Sequence, residues 1–414
     1  MLRRVDTMSV TDGRHVAGLA AAALLIGVGS ALAQSVPPAP STSSPIQFGS
    51  LSLRPSIFLR DVGIDDNVFN DALQPRQDFT YTVIPRLQAE LPVGSVRLVG
   101  ASSLGFVYFQ RYKDQQALNG FVQGWLEAED SARVRPFASG SFTRSRERVG
   151  EDIDTRALRI VTNTTAGLDV RTTAITALTA WVRREQTGYG EGELFRGVGL
   201  AQQLNHTRDS VAAGVKLTLT PFTTVVVAAE VQQARFERES LRDARSLRIG
   251  PLVRFGTGAV ITGEASAAFR EFRPLDARLP RYRGFVGSGE IGFSVLNQTS
   301  FGLSANRDVS YSYDAAEPYY LESGGRFTVS QRLVGPLELI ALGGRQQLRY
   351  QDFGAASFDG RSENVTSIGG GLGIRLGEQM RFTLTYDRSR RTSTGPLPRT
   401  YERNRVMGSV DYAL

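Results

Sequence analysis

Few residues in this chain have the types and spacing for chemistry. His206 is the one histidine beyond the first 33 residues, and Asp209 follows three positions later. A hydrolase would need a base of this kind. His206 falls where a loop meets an extended segment, and a lone histidine there is far more often inert than catalytic. No enzyme is expected. Asp61, Asp65, Asp66 and Asn67 form an acidic group, but they lack calcium-loop spacing and its closing glutamate, so they read as a solvated loop. Gly369, Gly370, Gly371 and Gly373 lack the Lys-Ser/Thr ending of a phosphate loop and lie in a strand-like run, where glycine makes room for a bend or a bulky neighbour. The chain has no cysteine, which removes disulfides and thiolate metal sites. No cofactor, metal or nucleic-acid partner is expected.

Arginine is what remains, and its placement depends on the elements that carry it. At 337–350, Ile340, Leu342, Leu348 and Tyr350 alternate with Arg345, Gln347 and Arg349. At 380–387, Phe382, Leu384 and Tyr386 alternate with Arg381, Thr383, Thr385 and Asp387. Strand side chains alternate faces, so each run makes one oily face and one wet face. This beat runs from about Leu51 to the end, with no long helical pattern interrupting it. About ten residues per strand suits a tilted membrane crossing. A mean hydropathy of −0.17 is then the average of two faces.

The breaks take turns between short and long. Short ones fall near 92–94, 129–131, 171–173, 221–223, 256–258, 297–298, 335–336 and 377–378. Longer ones fall near 63–77, 113–116, 149–155, 188–203, 240–242, 274–280, 314–317, 352–360 and 393–400. They divide the chain into about eighteen strands, the even number a bacterial barrel requires, with short periplasmic turns and longer outer loops. The expected fold is all-β: a transmembrane antiparallel β-barrel over residues 51–414. Barrels of 16–18 strands leave an aqueous channel unless plugged, and the 188–203 loop is the best candidate for a constriction.

The N-terminus reads as an export signal. Arg3, Arg4 and Arg14 precede an apolar core at 16–28, and Ala31-Leu32-Ala33 forms a cleavage site before Gln34. Residues 1–33 are therefore expected to be a signal peptide, and 34–50, with Pro37, Pro38 and Pro40, a flexible periplasmic lead-in. The expected location is the bacterial outer membrane, with its lipid, its lipopolysaccharide and the barrel assembly machinery as partners. The last run keeps Val406, Gly408, Val410, Tyr412 and Leu414 on one face. Val410, Tyr412 and Leu414 read as the C-terminal assembly signal, with Leu414 where an aromatic commonly stands.

Aromatics near strand ends read as an interfacial girdle: Phe79 and Tyr81, Tyr108 and Tyr112, Tyr311 and Tyr313, Tyr319 and Tyr320. Alternation fails at Trp125, Trp181 and Arg307, where a bulge would repair the register. The face opposite the oily one should line the lumen. Its basic set is Arg86, Arg97, Arg133, Arg135, Arg159, Lys216, Arg248, Arg254, Arg270, Arg326, Arg332, Arg345, Arg349, Arg375, Arg381 and Arg405. Its acidic set is Glu90, Asp169, Glu230, Glu264, Glu290, Asp308, Asp387 and Asp411. The excess of arginine points to an anion path. The competing reading is a ladder of Arg–carboxylate pairs bracing the strands.

The strings Asp65-Asp66-Asn67-Val68-Phe69 and Asp78-Phe79-Thr80-Tyr81-Thr82-Val83-Ile84-Pro85-Arg86-Leu87 resemble the opening of the "beta-barrel porin 2" family. The resemblance implies a proteobacterial outer-membrane barrel. It also implies, for some members, exopolysaccharide export with periplasmic export proteins as partners. Passive passage of hydrophilic, anionic solutes is the first expectation from the residues. A polysaccharide exit port and a structural or adhesive barrel with a closed lumen are the alternatives. Pro85, unable to donate to a ladder, marks a bulge or an edge-like spot.

Overall fold

The computed structural model describes residues 45–128, 132–256, 260–296, 298–351, 360–377, 379–394 and 399–413. The expected signal peptide, residues 34–44 of the expected lead-in, Leu414, most of the 352–360 loop and half of the 393–400 loop lie outside the described residues. The barrel strands are β1 (Leu51–Asp65), β2 (Asp78–Val93), β3 (Val96–Phe109), β4 (Ala117–Ala128), β5 (Val134–Arg148) and β6 (Arg156–Arg171). They continue as β7 (Thr176–Tyr189), β8 (His206–Thr220), β9 (Thr223–Phe236), β10 (Ala244–Phe255), β11 (Ile261–Pro274) and β12 (Tyr282–Val295). The last six are β13 (Thr299–Tyr311), β14 (Tyr319–Arg332), β15 (Leu337–Gln351), β16 (Ser362–Leu376), β17 (Met380–Ser393) and β18 (Tyr401–Ala413). Each pairs antiparallel with its neighbours in sequence.

The sheet closes where β1 pairs with β18, from Ser56 opposite Ala413 to Asp65 opposite Arg405. Closure leaves no open edge, which a sheet in lipid requires. The seam carries a bulge between Leu59 and Val62, and Asp61 within it takes a φ of 53°. Before β1, Ile46–Phe48 folds back on Leu51–Leu53. No helix among the described residues is long and apolar enough to cross a membrane. The outward face carries exposed Leu339, Ile368, Leu372, Leu384, Phe285 and Leu303. Such a band would be anomalous in water. In lipid each such side chain contributes about 1.5–3 kcal/mol of transfer.

Three local expectations are corrected. Trp125 and Trp181 do face inward, and the register runs unbroken through both, with Trp125 between Val99 and Ser139 and Trp181 between Gly167 and Ala212. No bulge is needed because the inner wall is partly apolar: Trp181 packs with Ala212, Val226 and Leu252. Arg307 lies on the outer face in continuous register between Gly287 and Ser323. Its guanidinium is held there by the Phe285 carbonyl at 3.2 Å and the Ser323 hydroxyl at 3.0 Å. Pro85 makes no bulge either: pairing of β2 with β3 skips Ile84 and Pro85 and resumes at Arg86–Ser103 in the register set at Val83–Phe106.

One hairpin leaves the wall. β12 and β13 pair only as far as Gly287–Arg307. Beyond that point β13 turns into the barrel. Tyr311 packs on His206, Phe236 and Phe272, and Val309, Tyr319 and Leu321 pack on Ala244, Phe272, Tyr282 and Val286 of the β10–β12 inner wall. Arg242, in the loop before β10, holds the turn of this hairpin through the carbonyls of Ser312 and of Pro318 at 3.2 Å.

Candidate functional site

The 149–155 loop between β5 and β6 reaches across the mouth of the barrel. The Tyr350 hydroxyl donates to Asp152 Oδ1 at 2.6 Å, and the Tyr313 amide donates to Oδ2 at 3.0 Å. β6 and β15 are nine strands apart in a ring of eighteen, so this contact bridges opposite walls. Ile153 anchors the same loop in an apolar cluster with Tyr189, Phe195, Leu200, Leu204 and Tyr313. The 188–203 loop, expected to be the constriction, falls in the connection between β7 and β8, which supplies the short helix Leu200–Leu204 of that cluster. The bridge itself comes from the 149–155 loop.

Charged groups lock the bridge to the far wall. Arg391 pairs with Asp154 at 3.1 Å and with Glu363. Arg399 donates to the Asp152 carbonyl at 2.7 Å and pairs with Asp154 and Glu363, each at 3.3 Å. Arg361 pairs with Glu317 at 2.8 Å and Glu363 at 3.2 Å, and sits 3.8 Å from the Tyr350 ring centroid. Arg391, Arg399, Glu363 and Asp152 are all buried. Burial works against the Arg399 charge, but Asp154, Tyr350 and Asp152 more than offset it and hold the group above its ordinary value. Burial pulls Arg242 down to about 10. Burial also raises the Glu151 carboxyl above its ordinary range despite Arg391 and Arg148 nearby.

The bridge divides the interior into two unlike halves. On the β7–β12 side the inner wall is packed by the infolded hairpin and the apolar clusters. On the other side lies a cavity of about 760 Å³ lined from β1–β3, β13–β18 and the two ends of the 149–155 loop. No residue of β7–β12 lines it. Nine arginines and five carboxylates do; with Arg345 turned to the outer wall, eight inward arginines remain and positive charge is in excess. Arg403 pairs with Asp65, and Arg405 with Asp387 at 3.0 Å. Arg60 pairs with Asp411 at 2.6 Å. Arg86, Arg156 and Arg326 form no ion pair among the described residues. Arg86 and Arg60 instead flank the Phe58 ring, at 4.9 and 5.1 Å. Arg156 lies 5.0 Å from the Phe109 ring, and its buried Nε and Nη2 have no hydrogen-bond partner.

Of the basic set read from alternation, Arg86, Arg326, Arg345 and Arg405 have atoms on this cavity. Others stand in carboxylate ladders: Arg97 with Glu127 and Glu90, Arg135 and Lys216 with Asp169, Arg248 and Arg270 with Asp308, Arg254 with Glu264, and Arg375 and Arg381 with Glu338. Arg159 faces inward near Glu185, with an unpartnered Nε. Arg332 keeps the inner register, opposite Glu338 at the exposed lower end of β14. Three placements are corrected. Arg133 lies in the β4–β5 turn. Arg345 and Arg349 turn outward, because Gln346, Leu348 and Tyr350 take the buried inner positions of β15. The inner face of upper β15 is thus the apolar one. Arg54, Arg60, Arg148, Arg156 and Arg403 line the cavity and were missed. Arg403 was within reach of alternation from Arg405, whereas Arg60 sits at the seam bulge and Arg148 and Arg156 at loop junctions.

His206 and Asp209 point to opposite faces of β8. His206 is buried, its Nδ1 donating to the Leu204 carbonyl at 2.7 Å, while Asp209 pairs with Arg184 on the outer wall at 2.7 Å. They form no dyad. The acidic opening is not a solvated loop. Asp65 binds Arg403, Asp66 accepts from the Asn404 amide and side chain at 2.7 Å each, and Asn67 donates to the Asp71 carbonyl at 2.8 Å and the Glu402 carbonyl at 3.0 Å. These residues latch β1 to β18. Asp78, in the second string, accepts from the amides of Arg111 and Tyr112 at 3.0 Å. The girdle holds at Tyr81 and Tyr108, which stack on the outer wall at 4.6 Å. It fails at Tyr311, Tyr313, Tyr319 and Tyr320, which the infolded hairpin carries into the interior.

A family profile described as "Putative beta-barrel porin 2" matches residues 40–413. No curated protein matches the chain. Among solved structures, the chain is similar to the outer-membrane protein OpdK of Pseudomonas aeruginosa at 11% identity and a TM-score of 0.44, with 87% of this chain and 99% of that chain covered. It is similar to a BenF-like porin from Pseudomonas fluorescens Pf-5 at 11% identity and 0.46, with 87% and 99% covered. It is also similar to Pseudomonas aeruginosa OccK2 (OpdF), solved with glucuronate, at 12% identity and 0.45, with 90% and 100% covered. Likeness at this level carries no argument about a solute. With the profile spanning nearly all of an eighteen-stranded closed barrel, the chain belongs to the beta-barrel porin 2 family of outer-membrane barrels.

Proposed function

We propose that the barrel is a passive channel for small hydrophilic anions, which pass through the arginine-lined half of the lumen. The observation that carries this is the excess of eight inward arginines over five carboxylates around the cavity, with Arg86, Arg156 and Arg326 in no ion pair among the described residues. Cations in a low-dielectric passage favour anions. The paired arginines elsewhere act as struts. The bridge at Asp152 splits the mouth, which favours small solutes over a continuous polymer. No catalytic step is assigned.

The test is the reversal potential across a salt gradient in a planar bilayer. Wild type should prefer anions at low salt and less so at 1 M, where screening falls to ~3 Å. Joint Arg86→Gln, Arg156→Gln and Arg326→Gln should abolish the preference, while Arg345→Gln with Arg349→Gln, on the outer wall, should leave it intact. A cation-selective wild type, or a triple variant like wild type, overturns the reading. An absence of conductance would favour the closed structural barrel.

A further inference from the structure

The two arginines that turned outward belong to a patch. Register places Arg345 of β15, Thr366 of β16, Arg390 of β17 and Glu402 of β18 in one row. One row lower stand Gly343, Ile368, Arg388 and Asn404. Beneath these the outer wall is apolar on all four strands: Leu339, Leu372, Leu384 with Tyr386, and Val406. A boundary between oil and charge therefore crosses β15–β18, toward the end that bears the long loops. In a barrel of the outer membrane that is the headgroup level of the outer leaflet.

The charges there do not balance. Among the described residues two carboxylates stand against the four arginines: Glu402, held by Arg388 at 2.7 Å and Arg390 at 3.6 Å, and Asp66, held by the Asn404 amide and side chain at 2.7 Å each. Among the described residues Arg345 has only the Asn364 amide oxygen, at 3.2 Å. Arg349 has no hydrogen bond or ion pair among the described residues. Arg345 and Arg390 flank one strand, so their backbones lie roughly 10 Å apart. An arginine facing lipid costs about 2–4 kcal/mol at mid-bilayer and about 0–1 near the interface, so this patch belongs at the interface and favours an anionic occupant. Guanidinium groups match phosphate oxygens in a bidentate fashion. A second copy of the chain would bring like charges together here.

We infer that Arg345, Arg349, Arg388 and Arg390 form a site for the phosphates of a phosphorylated glycolipid of the outer leaflet, whose acyl chains lie on the apolar band below. The inference rests on the outer-membrane placement and is independent of what crosses the lumen.

The experiment is retention of defined lipids by the purified barrel in native mass spectrometry, with diphosphoryl lipid A, the same lipid stripped of phosphate, and phosphatidylglycerol as probes. Wild type should retain diphosphoryl lipid A well above the other two. Joint Arg345→Gln, Arg349→Gln and Arg390→Gln should weaken it on the order of a hundredfold, with each surface arginine giving roughly fivefold. Equal retention of the phosphate-free lipid overturns the site, and so does equal retention of phosphatidylglycerol. A triple variant that keeps a heat-modifiable barrel and binds like wild type overturns it as well. If the triple variant does not fold, the phosphate comparison on wild type decides alone.

Discussion

Tyr350 and Asp152 meet across the full width of the barrel, hydroxyl to carboxylate at 2.6 Å. One residue stands on β15 and the other in a loop rooted on the opposite wall. The pair decides how the lumen is shared: a packed half behind it and an arginine-lined passage before it.

Tyr350→Phe should loosen this bridge without unfolding the barrel. The lost hydrogen bond is to a charged group and contributes about 1.5–3 kcal/mol. Asp152 keeps the Tyr313 amide, so the loop should flicker rather than detach. Single-channel recordings should show more open-state noise in Tyr350→Phe and a higher mean conductance in Asp152→Ala. Traces identical to wild type for both variants would show that the bridge does not limit flow.

The seam latch should govern the temperature at which the folded band converts to the unfolded band on an unboiled gel. Asp65→Ala strands the Arg403 guanidinium and should cost about 3–5 kcal/mol, as for a buried pair that loses one partner. Asn67→Ala removes two hydrogen bonds to backbone carbonyls and should cost less, about 1–3 kcal/mol. Conversion of Asp65→Ala at the wild-type temperature would mean that the seam holds without its latch.

Tyr412 lies on the outer face of β18, and register places it beside Ile57 of β1 and Met380 of β17. Tyr412→Asp should put a charge into lipid and lower the folded, membrane-inserted yield, and deletion of β18 should abolish it by leaving open edges at β1 and β17. Membrane fractionation of cells expressing the truncated chain is the check; normal levels would contradict the role of the last strand in assembly.

Glu151 gives the passage a pH response. Its folded pKa is raised by burial, so its contribution to stability is fully present below the unfolded value and is lost as pH rises through the folded one. Acidification from neutral pH should therefore steady the 149–155 loop and remove a negative charge from the cavity wall. Anion preference should rise as pH falls, beginning above the ordinary carboxylate range near ~4.3. Glu151→Gln should show the acidic behaviour at neutral pH. A preference that weakens on acidification would refute the assignment.

Periodicity alone determined the barrel. Alternation over 51–414, with breaks that took turns between short and long, marked out eighteen strands. Each break near 92–94, 171–173, 221–223 and 335–336 falls on a turn of the structure, because side chains on a lipid-facing strand have little freedom to break the period. Alternation also separated the faces wherever the inner wall is polar, as at Arg375, Arg381 and Arg405. It misled at Arg345, Arg349, Tyr311 and Tyr319, where the inner face is apolar and buried against the infolded hairpin. Only the tertiary structure decided which half of the lumen is filled and which arginines remain unpaired. It also decided that the Asp65-Asp66-Asn67 string latches the seam. Those outcomes rest on contacts between residues more than a hundred positions apart, such as Asp152 with Tyr350 and Asp65 with Arg403. A period of two residues fixes which side a group faces, but not what stands opposite.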